Sequence, residues 1–227
     1  EYPIPGARQM PVTNANTEEE KNEQFTKALS AALRSDPDVI LVGETRSLST
    51  AELTFKGALS GHGVWTTLHA NSAPAIVTRL RDMGIQPYLL NDPELVKGLV
   101  SQRLFRKLCP ACRQSIKTKE GTPEFNRLRN ALGDYGIENV YVSGPGCKVC
   151  GYKGFKGRMA VDEIILPDSH FLRMIIDNET AHAIDYWVSE LNGRPLKDAA
   201  IERMIKGQID MDEVERWCGL IDQRPVY

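Results

Sequence analysis

Apolar and polar positions along this chain recur with two different periods, and the change of period marks its elements. Phe25, Leu29, Ala32 and Leu33 recur at helical spacing up to Arg34, behind Thr17-Glu18-Glu19-Glu20, which reads as a capping box. The stretch DPDVILVGET, residues 36–45, then sets four apolar residues in a row and closes them with a glycine and a glutamate. A run as apolar as Val39-Ile40-Leu41-Val42 predicts a strand covered on both faces of a parallel sheet. Its carboxyl end presents Glu44, and open α/β sheets bind ligands at the carboxyl ends of their strands. Ser49-Thr50-Ala51-Glu52 reads as a second capping box, opening a helix that stops near Gly61. Val64-Trp65-Thr66-Thr67-Leu68 predicts another strand, ending at His69-Ala70-Asn71, and a helix follows over 73–83 with Gly84 as its stop. A further helix is predicted after Asn91, carrying Leu95, Leu99 and Val100 to a basic end at Arg103, Arg106 and Lys107, where positive charge suits the macrodipole. Residues 1–16 read as an extended leading segment. Helices alternating with buried strands indicate an α/β fold with a mostly parallel sheet.

From Cys109 the texture changes to short, glycine-rich, cysteine-flanked segments, with a helix expected around 124–132 and a strand over 159–166. Residues 168–218 read as helical, with Ile184, Trp187 and Leu191 on one stripe and Ala200 and Met204 on another. Asp210-x-x-Glu213 is expected to cap the last helix. These shifts divide the chain into 1–107, 108–166 and a helical 167–227.

Composition narrows the class without naming it. With 227 residues, 41% hydrophobic and 26% charged, the chain can hold one large domain or two small ones of an ordinary soluble protein. No apolar run approaches the ~18 residues of a membrane helix, and no secretory leader is visible. The sequence opens at Glu1 without a methionine, so a piece of something longer is expected. The net charge of −2 argues against a broad nucleic-acid or membrane-surface character. It conceals a split, because residues 101–160 hold twelve Lys/Arg against four Asp/Glu while the remainder is acidic. Such asymmetry marks a contact surface or a solvated face.

Four of the five cysteines form two C-x-x-C pairs, Cys109-Pro-Ala-Cys112 and Cys147-Lys-Val-Cys150, separated by 34 residues. Two residues between thiolates let both sulfurs face one ion, and four thiolates give a closed, structural Zn²⁺ site with no open position for substrate. Reduced thiols without a secretory signal point to the cytoplasm. A thioredoxin-type pair would want a strand before it and a helix after it, and neither pair has that context. Cys218 reads as a buried core residue.

The run ALSAALRSDPDVILVGETRSLSTAELTFKGALSGHGVWTTLHANSAPAIVTRLRDMGIQPYLL, from Ala28 to Leu90, resembles the hexameric ATPases of type II secretion and type IV pilus assembly. The resemblance resumes at CKVCGYKGFKGRMAVDEII. It implies a partial RecA-like, phosphate-loop NTPase core in residues 1–107, a tetracysteine zinc subdomain and a closing helical subdomain. Asp38 to Glu44 would be the Walker B strand, with Glu44 orienting or activating water. Thr66 to Asn71 would be the histidine box, in which Thr67 lies at the nucleotide site and His69 senses the terminal phosphate. Arg34, Arg46 and Asp38 would belong to the nucleotide site or the subunit interface, and His62 would be structural. Phosphoryl transfer needs positioning more than covalent chemistry, which suits such a set. ATP and Mg²⁺ would be used by the full-length protein, a homo-hexamer working with the cytoplasmic domain of an inner-membrane platform protein. That places it in the cytoplasm, peripheral to the inner membrane.

Two departures qualify the likeness. The family run is glycine-glutamate-isoleucine-arginine-aspartate, whereas Thr45 and Ser47 flank Arg46 here, so a salt bridge from that aspartate is absent. No G-x-x-x-x-G-K-[ST] phosphate loop occurs in the chain, and Glu1-Tyr2 falls at or just after the family's acidic box. The chain alone is therefore expected to be inactive. The zinc module favours assembly over retraction, whose motors generally lack these cysteines. A retraction or conjugative relative stays open, as do a nucleic-acid-binding zinc module on the basic segment and a thiol oxidoreductase; no specific nucleic acid is expected.

Overall fold

A computed structural model describes residues 3–12 and 15–223; the acidic-box position Glu1-Tyr2 lies outside the described residues. The chain forms two compact units that interleave along the sequence. The first comprises the chain up to Asn71 with Ala75–Lys97 and Pro167–Glu179; the second comprises Ser72–Pro74, Gly98–Leu166 and the chain from Thr180.

In the first unit, α1 (Glu18–Leu33) opens on Thr17, whose hydroxyl accepts from the Glu20 N–H. Glu20 turns its carboxylate to the Asn16 N–H at 2.8 Å rather than to the cap residue, one position off the expected box. β1 (Val39–Val42) follows, then α2 (Leu48–Leu59), β2 (Gly63–Thr66), α3 (Ala73–Asp82), the single turn α4 (Pro87–Leu90) and, much later in sequence, α6 (Ser169–Ile176). Ser47, two residues ahead of the expected Ser49, caps α2. β1 and β2 pair in parallel with Val42 opposite Thr66. Ile40 and Val42 pack with Leu29, Phe25, Leu33, Leu53 and Val64. The other face departs from expectation: Val39 and Leu41 are 61% and 65% exposed. Alternate residues of a strand point to opposite faces, and α1 and α2 cover only one of them. Arg81 holds the later segment by donating to Ile176 O at 2.7 Å and Asn178 Oδ1 at 2.9 Å.

The second unit is built on a long antiparallel ribbon, β3 (Leu99–Leu108) against β6 (Phe155–Ile165). This corrects the helix expected through Leu99, Val100 and the basic residues, and with it the macrodipole reading of Arg103, Arg106 and Lys107. Leu95 lies in a turn, and from Leu99 the burial alternates, with Leu99 and Phe105 inward and Val100 and Leu104 about half exposed. The cross-strand ladder wins over the accidental i, i+4 spacing. Short strands β4 (Gln114–Ser115) and β5 (Tyr141–Val142) pair antiparallel beside α5 (Pro123–Gly136). Helices α7 (Thr180–Ser189), α8 (Leu196–Ile205) and α9 (Met211–Cys218) complete the unit. Its core gathers Phe105, Ile116, Leu128, Val140, Met204 and Ile209, all fully buried. Glu163, 1% exposed on β6, receives the N–H groups of Ala73 (2.8 Å) and Leu196 (3.1 Å). Asp210 caps α9 as expected, whereas Glu213 serves Arg106 instead.

Candidate functional site

The carboxyl ends of β1 and β2 emerge side by side, because parallel strands in register end at the same edge. Beyond the last ladder position the two loops stay tied: the Thr45 N–H donates to Thr67 O at 2.8 Å, and the Thr67 hydroxyl donates to Gly43 O at 2.5 Å. Glu44 lies between those tied residues. Its Oε2 accepts from Arg46 Nη2 at 2.6 Å, and its Oε1 lies 3.1 Å from His69 Nε2. The latter pair is close without being aligned as a hydrogen bond; Oε1 is buried and has no hydrogen-bond partner among the described residues. The Glu44 side chain is 23% exposed and that of His69 91%. The hydrogen bond from Arg46 holds the Glu44 carboxyl below its ordinary range; partial burial opposes this, and the charges of Arg46 and His69 add to it. A cavity of about 300 Å³ opens beside this carboxylate, lined by Lys21, Phe25, Glu44 and Arg46 among others. An ionised carboxylate flanked by a guanidinium and an imidazole can accept a proton from water or orient it.

The other nucleotide-site candidates are spread more widely. Thr67 is in place through its bond to Gly43. Asp38 precedes β1 at its amino end, whereas Glu44 follows its carboxyl end. Arg34 is exposed at the carboxyl cap of α1. The structure therefore brings together Glu44, Arg46, Thr67 and His69, and does not bring Asp38 to them. His62 Nδ1 lies 3.0 Å from Gly57 O, which suits the structural reading. Ser47, standing where the family aspartate is expected, is the cap of α2. Thr45, 2% exposed, was missed as a site residue; its only sequence signal is a polar residue standing where the run has an isoleucine.

In the second unit the four cysteines of the two pairs form one group, all ligand atoms lying within 4.8 Å of one another. Sγ–Sγ distances are 3.8 Å for Cys109–Cys147, 3.8 Å for Cys112–Cys150 and 3.9 Å for Cys147–Cys150. A tetrahedral ion with sulfur arms of ~2.3 Å has edges of about 3.8 Å. Sulfurs meet across the pairs as closely as within one, as a single four-sulfur site requires and two independent dithiols would not. Local backbone prepares the site. Cys150 Sγ accepts from the N–H groups of Cys147 (3.2 Å) and Gly154 (3.3 Å). These donors, led by Cys147, bring the Cys150 thiol down to about 6 against the opposing effect of burial. Burial and the neighbouring sulfurs push Cys112 up to about 12, since four metal-free thiols packed this closely cannot all ionise. Gly144 lies against the first knuckle so closely that a Cβ would stand 1.7 Å from Cys112 O. Gly151, at φ 60°, makes the left-handed turn that closes the second.

The basic segment is less free than its count suggests. Arg106 is bound to Glu213, Arg113 stacks 4.1 Å over Tyr141 and donates to Gly207 O, and Arg127 pairs with Glu215. Lys148, Lys153, Lys156 and Arg158 are exposed around the second knuckle, and no Asp or Glu occurs from residue 139 to 161. Cys218 is partly buried against the core, and burial raises its thiol to about 11.

The α/β fold is that of secretion ATPases. A solved structure of the pilus retraction motor PilT with bound ADP matches 85% of this chain and 43% of its own at TM-score 0.56 and 24% identity. The Legionella pneumophila ATPase DotB matches 85% and 41% at TM-score 0.54 and 20% identity. The sequence model of the type II/IV secretion system protein family matches residues 1–216, and the chain belongs to that family. The Escherichia coli K12 putative type II secretion system protein E is 35% identical over 217 residues, 95% of this chain and 41% of that protein. The type IV pilus assembly ATPase PilB of Thermus thermophilus is 34% identical over 216 residues, 94% of this chain and 23% of that protein. The chain thus spans less than half the length of these curated relatives. No described helix is long and apolar enough to cross a membrane.

Proposed function

We propose that this chain is the part of a hexameric ATPase that carries the water-orienting carboxylate and the phosphate-sensing histidine, and that the whole protein drives type II secretion or type IV pilus assembly. The observation that carries this reading is Glu44 at the carboxyl end of β1, between Arg46 at 2.6 Å and His69 at 3.1 Å. Residues 1–107 are read as part of a RecA-like core, 108–166 as the zinc subdomain and 167–227 as a helical subdomain. Glu44 would orient water and His69 would respond to the terminal phosphate of ATP, with Thr67 tying the two loops and Arg46 bonded to the Glu44 carboxylate. The phosphate cradle is not among the motifs of this chain. Arg34 and Asp38, away from the carboxylate, fit a subunit interface better than the reacting phosphate. Cys109, Cys112, Cys147 and Cys150 would hold one Zn²⁺, which ties the two knuckles together and supplies no reaction chemistry. The whole protein would act in the cytoplasm against the cytoplasmic domain of an inner-membrane platform protein. Four exposed cations near the second knuckle keep one rival, a nucleic-acid-binding module, worth testing by salt-dependent binding.

The test uses a longer protein that includes a phosphate loop. Glu44→Gln keeps size and hydrogen bonding but removes the charge, so ATP binding should persist while hydrolysis falls by about 10²-fold or more. Undiminished hydrolysis would overturn the role of Glu44. The 227-residue chain alone should hydrolyse no ATP, and robust turnover by it would refute the division of labour.

A further inference from the structure

The parallel ladder of β1 and β2 stops at Val42 and Thr66, yet the two loops remain joined for three more residues by threonine side chains as well as backbone. The Thr66 hydroxyl lies 3.3 Å from Thr67 O, its acceptor, and 2.8 Å from the Thr45 hydroxyl. Either hydroxyl of the Thr45–Thr66 pair can donate, and the 2.8 Å bond joins the two loops in both cases. The result is a small lattice: Thr45 binds Thr67 through its N–H and Thr66 through its hydroxyl, while Thr67 returns a hydroxyl bond to Gly43 O. Glu44 is the one residue between the two anchored positions of its loop, and His69 is two residues past Thr67. The side chains of Arg46 and His69, which flank the carboxylate, are 58% and 91% exposed. Thr45, at 2% exposure, is the rigid member.

We propose that Thr45 is a positioning residue: its buried hydroxyl cross-ties the carboxylate loop to the histidine loop and sets the approach of Glu44 to His69. Thr45 acts through the two loops, by its bonds to Thr67 and Thr66. Its importance for turnover rests on the proposed ATPase reading; its effect on the geometry does not. Removing the hydroxyl leaves Thr66 Oγ1 to water and unpins one side of Glu44, while the Thr45 N–H bond survives. Valine has nearly the volume of threonine, so the fold should be retained.

Two measurements on the 227-residue chain test the tie without nucleotide. The first is how far the ring resonances of His69 move in NMR spectra when Glu44 is changed to Gln, which reports contact between the two side chains. The second is hydrogen exchange at the Thr45 amide. In Thr45→Val the His69 response to Glu44→Gln should fall to less than half, and the Thr45 amide should exchange about five- to tenfold faster, the scale of one lost hydrogen bond. Thr45→Ser, which keeps the hydroxyl, should restore both. Thr66→Val should reproduce the loss from the exposed side of the pair, where no core packing is disturbed. An unchanged His69 response in Thr45→Val, or equal losses in Thr45→Ser, overturns the proposal while leaving the ATPase reading intact. Conversely, hydrolysis unaffected by Glu44→Gln in the longer protein refutes that reading and leaves the tie standing.

Discussion

Replacing Arg106 by alanine should cost about 3 kcal/mol of stability at neutral pH, and the cost should depend on pH in a particular direction. The Glu213 side chain is 3% exposed and that of Arg106 48%. Arg106 gives Glu213 Oε1 two hydrogen bonds, from Nε at 2.8 Å and Nη2 at 2.5 Å, and its backbone N–H donates to Oε2 at 3.1 Å. Alanine keeps only the last. Removing one partner of a buried ion pair costs ~3–5 kcal/mol, and the half-exposed guanidinium side, where water can follow, brings that to about 2–3 kcal/mol. Loss of the guanidinium 4.2 Å over Phe155 adds about 0.5–1 kcal/mol. Burial alone would raise the Glu213 carboxyl; the donors and charge of Arg106 outweigh it and hold the group below its ordinary value. A folded value below the unfolded one, ~4.3, means stabilisation present above pH ~4.3 and lost as the pH falls through the folded value. Without the guanidinium, burial turns the shift upward. The penalty in Arg106→Ala is then fully present above the raised folded value and vanishes as the pH falls toward ~4.3. The gap between wild type and variant should therefore be widest near pH 7 and narrow steadily toward pH 4. Urea unfolding with zinc in fixed excess, followed by the emission of buried Trp187, measures it across that range. Adding Glu213→Gln to the variant should recover part of the loss. A gap below about 1 kcal/mol at pH 7, or one that does not change with pH, would refute the pairing energetics.

Two further predictions concern the same unit. Cys147→Ser should lower bound zinc from one ion per chain toward none and open residues 109–166 to protease before the first unit, since ligation and local folding are coupled; unchanged zinc content measured by atomic absorption would sink the four-thiolate assignment. Reversing Lys153, Lys156 and Arg158 to Glu together should leave zinc in place and weaken ring formation or platform-protein binding by the longer protein, with a loss largest at low salt because exposed charges are screened beyond ~8–10 Å. Wild-type assembly and partner binding throughout a salt series would show that these cations only solvate the surface.

Much of this molecule could be read from its sequence wherever the controlling contact is close along the chain. Thr17 and Asp210 cap helices within three residues of themselves, and the C-x-x-C spacing fixes which sulfurs share a knuckle. What could not be read depends on partners far away. The ribbon partner of Leu99 is Ile165, and nothing within a helical turn of Leu99 distinguishes a strand residue from a helix residue. The charge of Arg106 looked available for a partner because Glu213 is 107 residues away. Glu163 reads as a polar slip in an apolar strand until the N–H groups of Ala73 and Leu196 are seen to meet it. Charge counts along a sequence overstate a basic face for this reason: they include cations already spent inside the fold.

The site at Glu44 was legible for the opposite reason, although its two halves are 25 residues apart. A strand, a helix and a second strand in parallel have very few arrangements, and all of them bring the two carboxyl ends to one edge of the sheet. Once Val39–Val42 and Gly63–Thr66 are strands and Leu48–Leu59 is the crossover, Glu44 and His69 must emerge together. Their separation in sequence is taken up by the crossover helix. Periodicity cannot supply the last few ångströms. Whether Glu44 Oε1 stops 3.1 Å from His69 or swings into solvent depends on what pins the loops past the ladder. Here that falls to hydroxyl groups on Thr45, Thr66 and Thr67, residues that a reading of the sequence weighs chiefly as strand formers. Topology thus brings the two side chains to one edge, and the hydroxyl lattice sets the distance at which they can act together.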